Sequence, residues 1–127
     1  MPLVRIALRE GKSAAYRTAI GDAVHKALVE TMNVPAQDRF QVISEHAPEN
    51  LIYDATYLDI QRSDDVIFIQ ITLNTGRTTD MKKSLYARIA ELLAENPGVR
   101  KQDVLVSLVE VWKENWSFGD GIAQYAT

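Results

Sequence analysis

Apolar and polar residues change rhythm several times along this chain. Val4, Ile6 and Leu8 alternate with Arg5 and Ala7, the period-two pattern of a half-buried strand. After Glu10-Gly11-Lys12 the period lengthens. Ser13 is placed to cap a helix, and Tyr16, Ile20, Ala23, Val24, Ala27 and Leu28 recur at helical spacing to about Met32, where Asn33-Val34-Pro35 ends the run. Arg39 to Glu45 reads as a second strand, and Ala47-Pro48-Glu49-Asn50 opens an irregular stretch reaching about Ser63. Val66 to Leu73 is nearly all β-branched or aromatic and predicts a strand buried on both faces. Met81, Leu85, Ile89, Leu92 and Leu93 place a second helix, closed by Asn96-Pro97-Gly98, and Val104 to Val111 is a fourth strand.

Strand-helix-strand therefore occurs twice, and the two passes align without a gap. When residues 2–46 are laid on 67–111, Ile6 falls on Ile71, Leu8 on Leu73, Gly11 on Gly76, Leu28 on Leu93, Asp38 on Asp103 and Glu45 on Glu110, with conservative matches such as Lys12 on Arg77 and Ser13 on Thr78. We read a duplicated β-α-β unit. Each unit joins two parallel strands through a right-handed helical crossover. The expected fold class is α+β: a four-stranded mixed sheet with two helices on one face. It forms a single domain over 1–127, with repeat halves at 2–46 and 67–111 and an aromatic C-terminal segment, 112–127, outside the repeat. A two-fold relation between the halves sets strand one antiparallel to strand three. That topology brings Pro2, Asp38 and Gly76-Arg77-Thr78 to one edge of the sheet. Two helices cover only one sheet face, so the other is expected to be covered by further subunits in a closed homo-oligomer.

Composition narrows the chemistry. The chain has 14 basic and 17 acidic residues, net −3, with both signs scattered, and so no electrostatic footprint for nucleic acid. It has no cysteine, which excludes disulfides and thiolate chemistry. No apolar run is long enough to span a membrane, and the N-terminus lacks a signal-peptide layout; the expected location is the cytoplasm. Gly11-Lys12-Ser13 fails as a P-loop, because the required first glycine would fall at Ile6. His25 and His46, the only histidines, have no neighbouring ligand set, so neither a metal nor another cofactor is expected.

What remains is chemistry at the N-terminus. If Met1 is trimmed, Pro2 becomes a free secondary amine, and burial or a nearby charge tunes such an amine toward base, acid or nucleophile. In the second half the equivalent position is Ile67, which has no amine to offer. Asp38 and Arg77 are the carboxylate and guanidinium placed near it. A cation in the first turn of a helix opposes the helix dipole, which marks Arg77 as a candidate anion binder. Trp116, Phe118 and Tyr125 either pack as a flap or wall a small apolar pocket.

With Pro2, the duplicated β-α-β, Asp38, Gly76-Arg77-Thr78 and Trp116-Ser117-Phe118-Gly119 together, the chain resembles the tautomerase superfamily, and within it the malonate semialdehyde decarboxylase branch. The resemblance covers essentially the whole chain and implies a homotrimer. It implies a catalytic Pro2, Asp38 as the carboxylate beside it, Arg77 as the residue that holds the substrate carboxylate, and Trp116, Phe118 and Tyr125 as pocket wall. Some members of the branch carry Arg-x-Arg where this chain has Thr75-Gly76-Arg77, leaving one local clamp. The implied activity is cofactor-independent decarboxylation of a short oxo acid such as malonate semialdehyde. The alternatives are keto-enol tautomerisation of a 2-oxo acid such as phenylenolpyruvate, and a non-catalytic trimeric binding protein. No membrane or nucleic-acid partner is expected.

Overall fold

A computed structural model describes residues 1–126; Thr127, the last residue of the expected C-terminal segment, lies outside the described residues. The elements are β1 (Leu3–Arg9), α1 (Ala14–Met32), β2 (Phe40–His46), β3 (Ile67–Asn74), α2 (Thr79–Glu95) and β4 (Val104–Val111). The strands form one mixed sheet in the order β2-β1-β3-β4. β1 runs parallel to β2, β3 parallel to β4, and the central pair β1 and β3 is antiparallel. The expected α+β duplication therefore holds, and strand two begins at Phe40 rather than Arg39 because Phe40 is the residue that pairs with Leu3.

The two halves match in register as well as in order. Leu3 pairs with Phe40 and Phe68 with Leu105, an identical spacing. Across the central pair, Leu3 faces Thr72 and, symmetrically, Ala7 faces Phe68. Ser13 caps α1 by accepting from the Tyr16 N–H, and Thr78 caps α2 by accepting from the Met81 N–H, each satisfying one of the amides a helix start leaves without a partner. Even the helix-to-strand ion pairs repeat: Arg17 to Glu45 at 2.8 Å and Lys82 to Glu110 at 2.6 Å. The equivalence also continues past the strands. A 3-10 turn at Pro48–Asn50 follows β2 and another at Lys113–Asn115 follows β4. The C-terminal segment 112–127 thus opens on a turn with a counterpart in the first half, Lys113-Glu114-Asn115 against Pro48-Glu49-Asn50.

Helices α1 and α2 lie on one sheet face. Ile20, Val24, Leu28 and Met32 of α1 and Leu85, Ile89 and Leu93 of α2 bury against Val4, Ile6, Leu8, Ile67, Ile69, Ile71 and Leu73. The other face is uncovered within one chain. Gln70 is exposed and Phe68 and Thr72 only partly buried, so within one chain β3 is buried along one face and not along both as expected, because no helix covers the face that carries these three residues. Phe40, Val42, Leu105 and Val109 stand exposed on the same face.

Candidate active site

Among the described residues only three polar side chains are buried: Asp38, Asn74 and Asp103. Buried carboxylates and amides need partners, because the desolvation they suffer is otherwise uncompensated. Their partners differ sharply.

Asp103 and Asp38 occupy equivalent places in the repeat, each at the end of a short turn closed by a backbone bond, Asp103 N–H to Arg100 O at 2.9 Å and Asp38 N–H to Pro35 O at 3.0 Å. Asp103 accepts from the Ser63 N–H at 2.7 Å and from the Ser63 hydroxyl at 2.6 Å. Among the described residues Asp38 has no donor: both carboxylate oxygens are buried without a hydrogen-bond partner there. The group nearest to it with opposite charge is the terminal ammonium of Met1, 4.0 Å away. Ser63 reaches Asp103 because a chain segment precedes β3. At the equivalent place beside Asp38 stands Met1.

The electrostatics follow from that burial. Desolvation raises the Asp38 carboxyl above its ordinary range, opposed by the terminal ammonium, His25 and Arg77. Desolvation likewise lowers the terminal ammonium, with Asp38 opposing and Arg77 assisting. His25 also bonds the Ala36 carbonyl at 2.7 Å, steadying the turn that carries Asp38; the sequence reading left this histidine without a task.

Met1, Asp38 and Arg77 line one cavity of about 660 Å³, together with Asn74, Phe40 and Tyr125. The antiparallel β1–β3 pairing is what joins them, since it places the start of β1 beside the end of β3. Arg77 follows Gly76, whose φ of +116° suits glycine and strains other residues. Its guanidinium is held by two main-chain carbonyls, Met32 O at 3.1 Å and Asn74 O at 3.2 Å, which fixes the direction of the fork and leaves three N–H donors for a ligand.

The aromatic residues form a stacked wall. Trp116 and Phe118 stack at 5.2 Å, and Tyr125 meets Phe118 edge-on at 5.1 Å. Pro2 lines a smaller cleft of about 200 Å³ with Leu3, Phe40, Trp116 and Phe118, and Phe40 is shared with the larger cavity. Tyr125 faces the larger one, and its hydroxyl is pushed above its ordinary pKa by burial and by Asp38. The sequence-predicted residues are thus gathered at one end of the sheet, with Trp116 and Phe118 on the Pro2 side and Tyr125 on the Arg77 side. Asn74 and Lys113 also line the cavity and were not singled out. Asn74 could have been noticed as the polar residue that ends an apolar strand just before a glycine turn; Lys113 carries no comparable signal. Among the described residues no three His, Asp or Glu side chains are grouped as metal ligands.

Known proteins resemble the chain over its whole length. A family described as "Tautomerase enzyme" matches residues 38–119, and a second family of the same description matches residues 2–59. A curated relative, the probable tautomerase YusQ of Bacillus subtilis (strain 168), is 42% identical over 98% of both chains. A crystal structure of FG41 malonate semialdehyde decarboxylase inhibited by 3-bromopropiolate is 43% identical with a TM-score of 0.91, covering 97% of this chain and 93% of the other. A fused 4-OT symmetric trimer shares the fold at 22% identity and a TM-score of 0.79, over 98% of each chain.

Proposed function

The chain belongs to the tautomerase superfamily, and on that premise we propose that it is a cofactor-independent enzyme that uses its N-terminal amine on a short oxo acid, with decarboxylation of malonate semialdehyde as its main reaction. The observation that carries the reading is Asp38: a buried carboxylate with no hydrogen bond, facing an ammonium at 4.0 Å in the cavity that also holds Arg77. A carboxylate kept in that state costs stability, and a perturbed group of this kind facing a charge in a cleft is a candidate functional residue. Removal of Met1 passes the amino terminus to Pro2, which begins the same segment.

Arg77 would hold the substrate carboxylate with its fixed fork, a geometry suited to two parallel N–H···O bonds. When the bond to the carboxyl carbon breaks, its electron pair flows into the neighbouring carbonyl and carbon dioxide leaves. The enolate oxygen then carries charge that a cationic Pro2 and Arg77 stabilise where it develops; the enolate takes one proton at carbon from the Pro2 ammonium, which regains it from solvent once the product leaves. Asp38 keeps the amine protonated. The aromatic wall excludes water and strengthens these interactions.

A second reading is favoured by a different observation. At the Met1 amine burial outweighs Asp38 and lowers the pKa; surroundings of that kind at Pro2 would favour the neutral amine that a keto-enol tautomerase needs as its base. Similarity to the probable tautomerase supports it as well.

The working unit in this proposal is a homotrimer. The apolar sheet face opposite the helices calls for a cover, and the similar fused 4-OT structure is a trimer.

The deciding experiment first measures the intact mass, since a retained Met1 blocks Pro2 and overturns both enzymatic readings. Wild type, Pro2→Ala and Arg77→Ala are then assayed on malonate semialdehyde and on phenylenolpyruvate. Decarboxylation lost in both variants supports the first reading. A full rate in Pro2→Ala would end it.

A further inference from the structure

We propose that Asn74 is a substrate-binding residue whose side-chain amide donates to the carboxylate of the substrate beside Arg77. The inference rests on the oxo-acid reading above.

Three observations meet at this residue. First, its orientation is fixed. The Trp116 indole N–H, which can only donate, gives a 2.7 Å bond to Asn74 Oδ1, so the NH2 group is the end that points elsewhere. Its nitrogen is neither bonded to another group among the described residues nor among the fully buried polar atoms that lack a partner. Second, Asn74 is tied to Arg77: the guanidinium bonds its backbone carbonyl at 3.2 Å, and both residues line the same cavity. A ligand held by Arg77 therefore lies within the neighbourhood of the Asn74 amide.

Third, the other half of the duplication supplies an internal comparison. The repeat sets Asn74 against Arg9 and Arg77 against Lys12. In that half the segment before β3 brings two carboxylates to these positions: Asp64 to Arg9 at 3.2 Å and Asp65 to Lys12 at 2.8 Å. The neighbouring Ser63 satisfies Asp103, the counterpart of Asp38. The second half is a filled copy of the site, closed by its own linker, and it shows what the two positions do: each holds a carboxylate. In the open copy the linker does not enter, and the same pair of positions lines the cavity. One is a cation and the other a neutral donor, so Asn74 adds hydrogen bonds and orientation without adding charge.

Asn74→Asp and Asn74→Ala distinguish binding from mere support of Trp116. An aspartate keeps an acceptor for Trp116 and loses the donors; an alanine loses both. If Asn74 only props Trp116, aspartate is the milder change. If it binds substrate, aspartate is the harsher one, because it sets an anion against the incoming carboxylate. We expect KM to rise about tenfold in Asn74→Ala and more in Asn74→Asp, with kcat changed far less. Calorimetric titration with pyruvate, a carboxylate probe that needs no turnover, is expected to weaken in the same order. An Asn74→Asp protein that binds pyruvate within twofold of wild type overturns the proposal. Should wild type turn over neither malonate semialdehyde nor phenylenolpyruvate, the enzymatic reading falls, and the pyruvate titration still decides the role of Asn74.

Discussion

Two aspartates at equivalent positions separate what a carboxylate does for a fold from what it does for a site. Asp103 receives a backbone and a hydroxyl hydrogen bond from Ser63, whereas Asp38 receives none. Hydrogen bonds to charged groups contribute roughly 1.5–3 kcal/mol each, so Asp103→Ala is expected to lower unfolding stability by about 2–3 kcal/mol. Asp38→Ala is expected to leave stability unchanged or raise it by about 1 kcal/mol while abolishing activity; urea unfolding of the two variants beside wild type measures the contrast. The pH dependence gives the sign independently. Burial raises the Asp38 pKa, so the folded chain binds that proton more readily than the unfolded one. Its contribution is favourable below the ordinary carboxylate value of about 3.9 and is lost as pH rises through the folded value. Any stability gain of Asp38→Ala should accordingly be present at neutral pH and vanish below about pH 4. The Met1 terminal amine shifts the other way, downward. A decarboxylase that needs Pro2 cationic should lose kcat/KM as pH rises through the pKa of the Pro2 amine, and a tautomerase that needs it neutral should gain over the same window. The pH profile on each substrate separates them.

At the scale of elements, the strand-to-helix turns carry the same instruction twice. Gly11 has φ +108° and Gly76 has φ +116°, and open space surrounds the position a Cβ would take at either. The cost of an alanine is therefore backbone strain rather than collision, on the order of 1 kcal/mol at each site. Gly11→Ala and Gly76→Ala should lower Tm by similar amounts, yet only Gly76→Ala is expected to raise KM, because the turn it distorts aims Arg77. Equal Tm shifts with equal kinetics would contradict the placement of Arg77 in the site. The linker before β3 is the element that breaks the symmetry. It occupies the second half with Ser63, Asp64 and Asp65, and leaves the first half open.

For the whole molecule the outstanding demand is the bare sheet face. Val42, Leu105 and Val109 are exposed there in one chain, on the side opposite a core that already fills the space beneath the helices. A charge introduced on it should prevent burial of that face against another copy. Leu105→Glu, on the edge strand β4, is expected to shift the protein from the proposed trimer to a smaller species in sedimentation experiments with the secondary structure retained. An unchanged mass would rule out this face as the interface.

The elements, their order and the duplication were legible in the sequence, because period-two and helical spacing, caps and turn glycines are local and the repeat needs only an offset. So was the convergence of the β1 start, Asp38 and Arg77 at one end of the sheet, since the antiparallel joining of two like halves follows from their symmetry. The roles of Asn74 and Ser63 were not legible. Nothing local to Asn74 says that Trp116 will fix its amide, and nothing local to Asp38 and Asp103 says that one will be satisfied and the other not. Those outcomes depend on which residues the chain brings to each end of the sheet from forty or so positions away. Burial then turns that difference of partners into a difference of charge behaviour, and only the tertiary structure contains it.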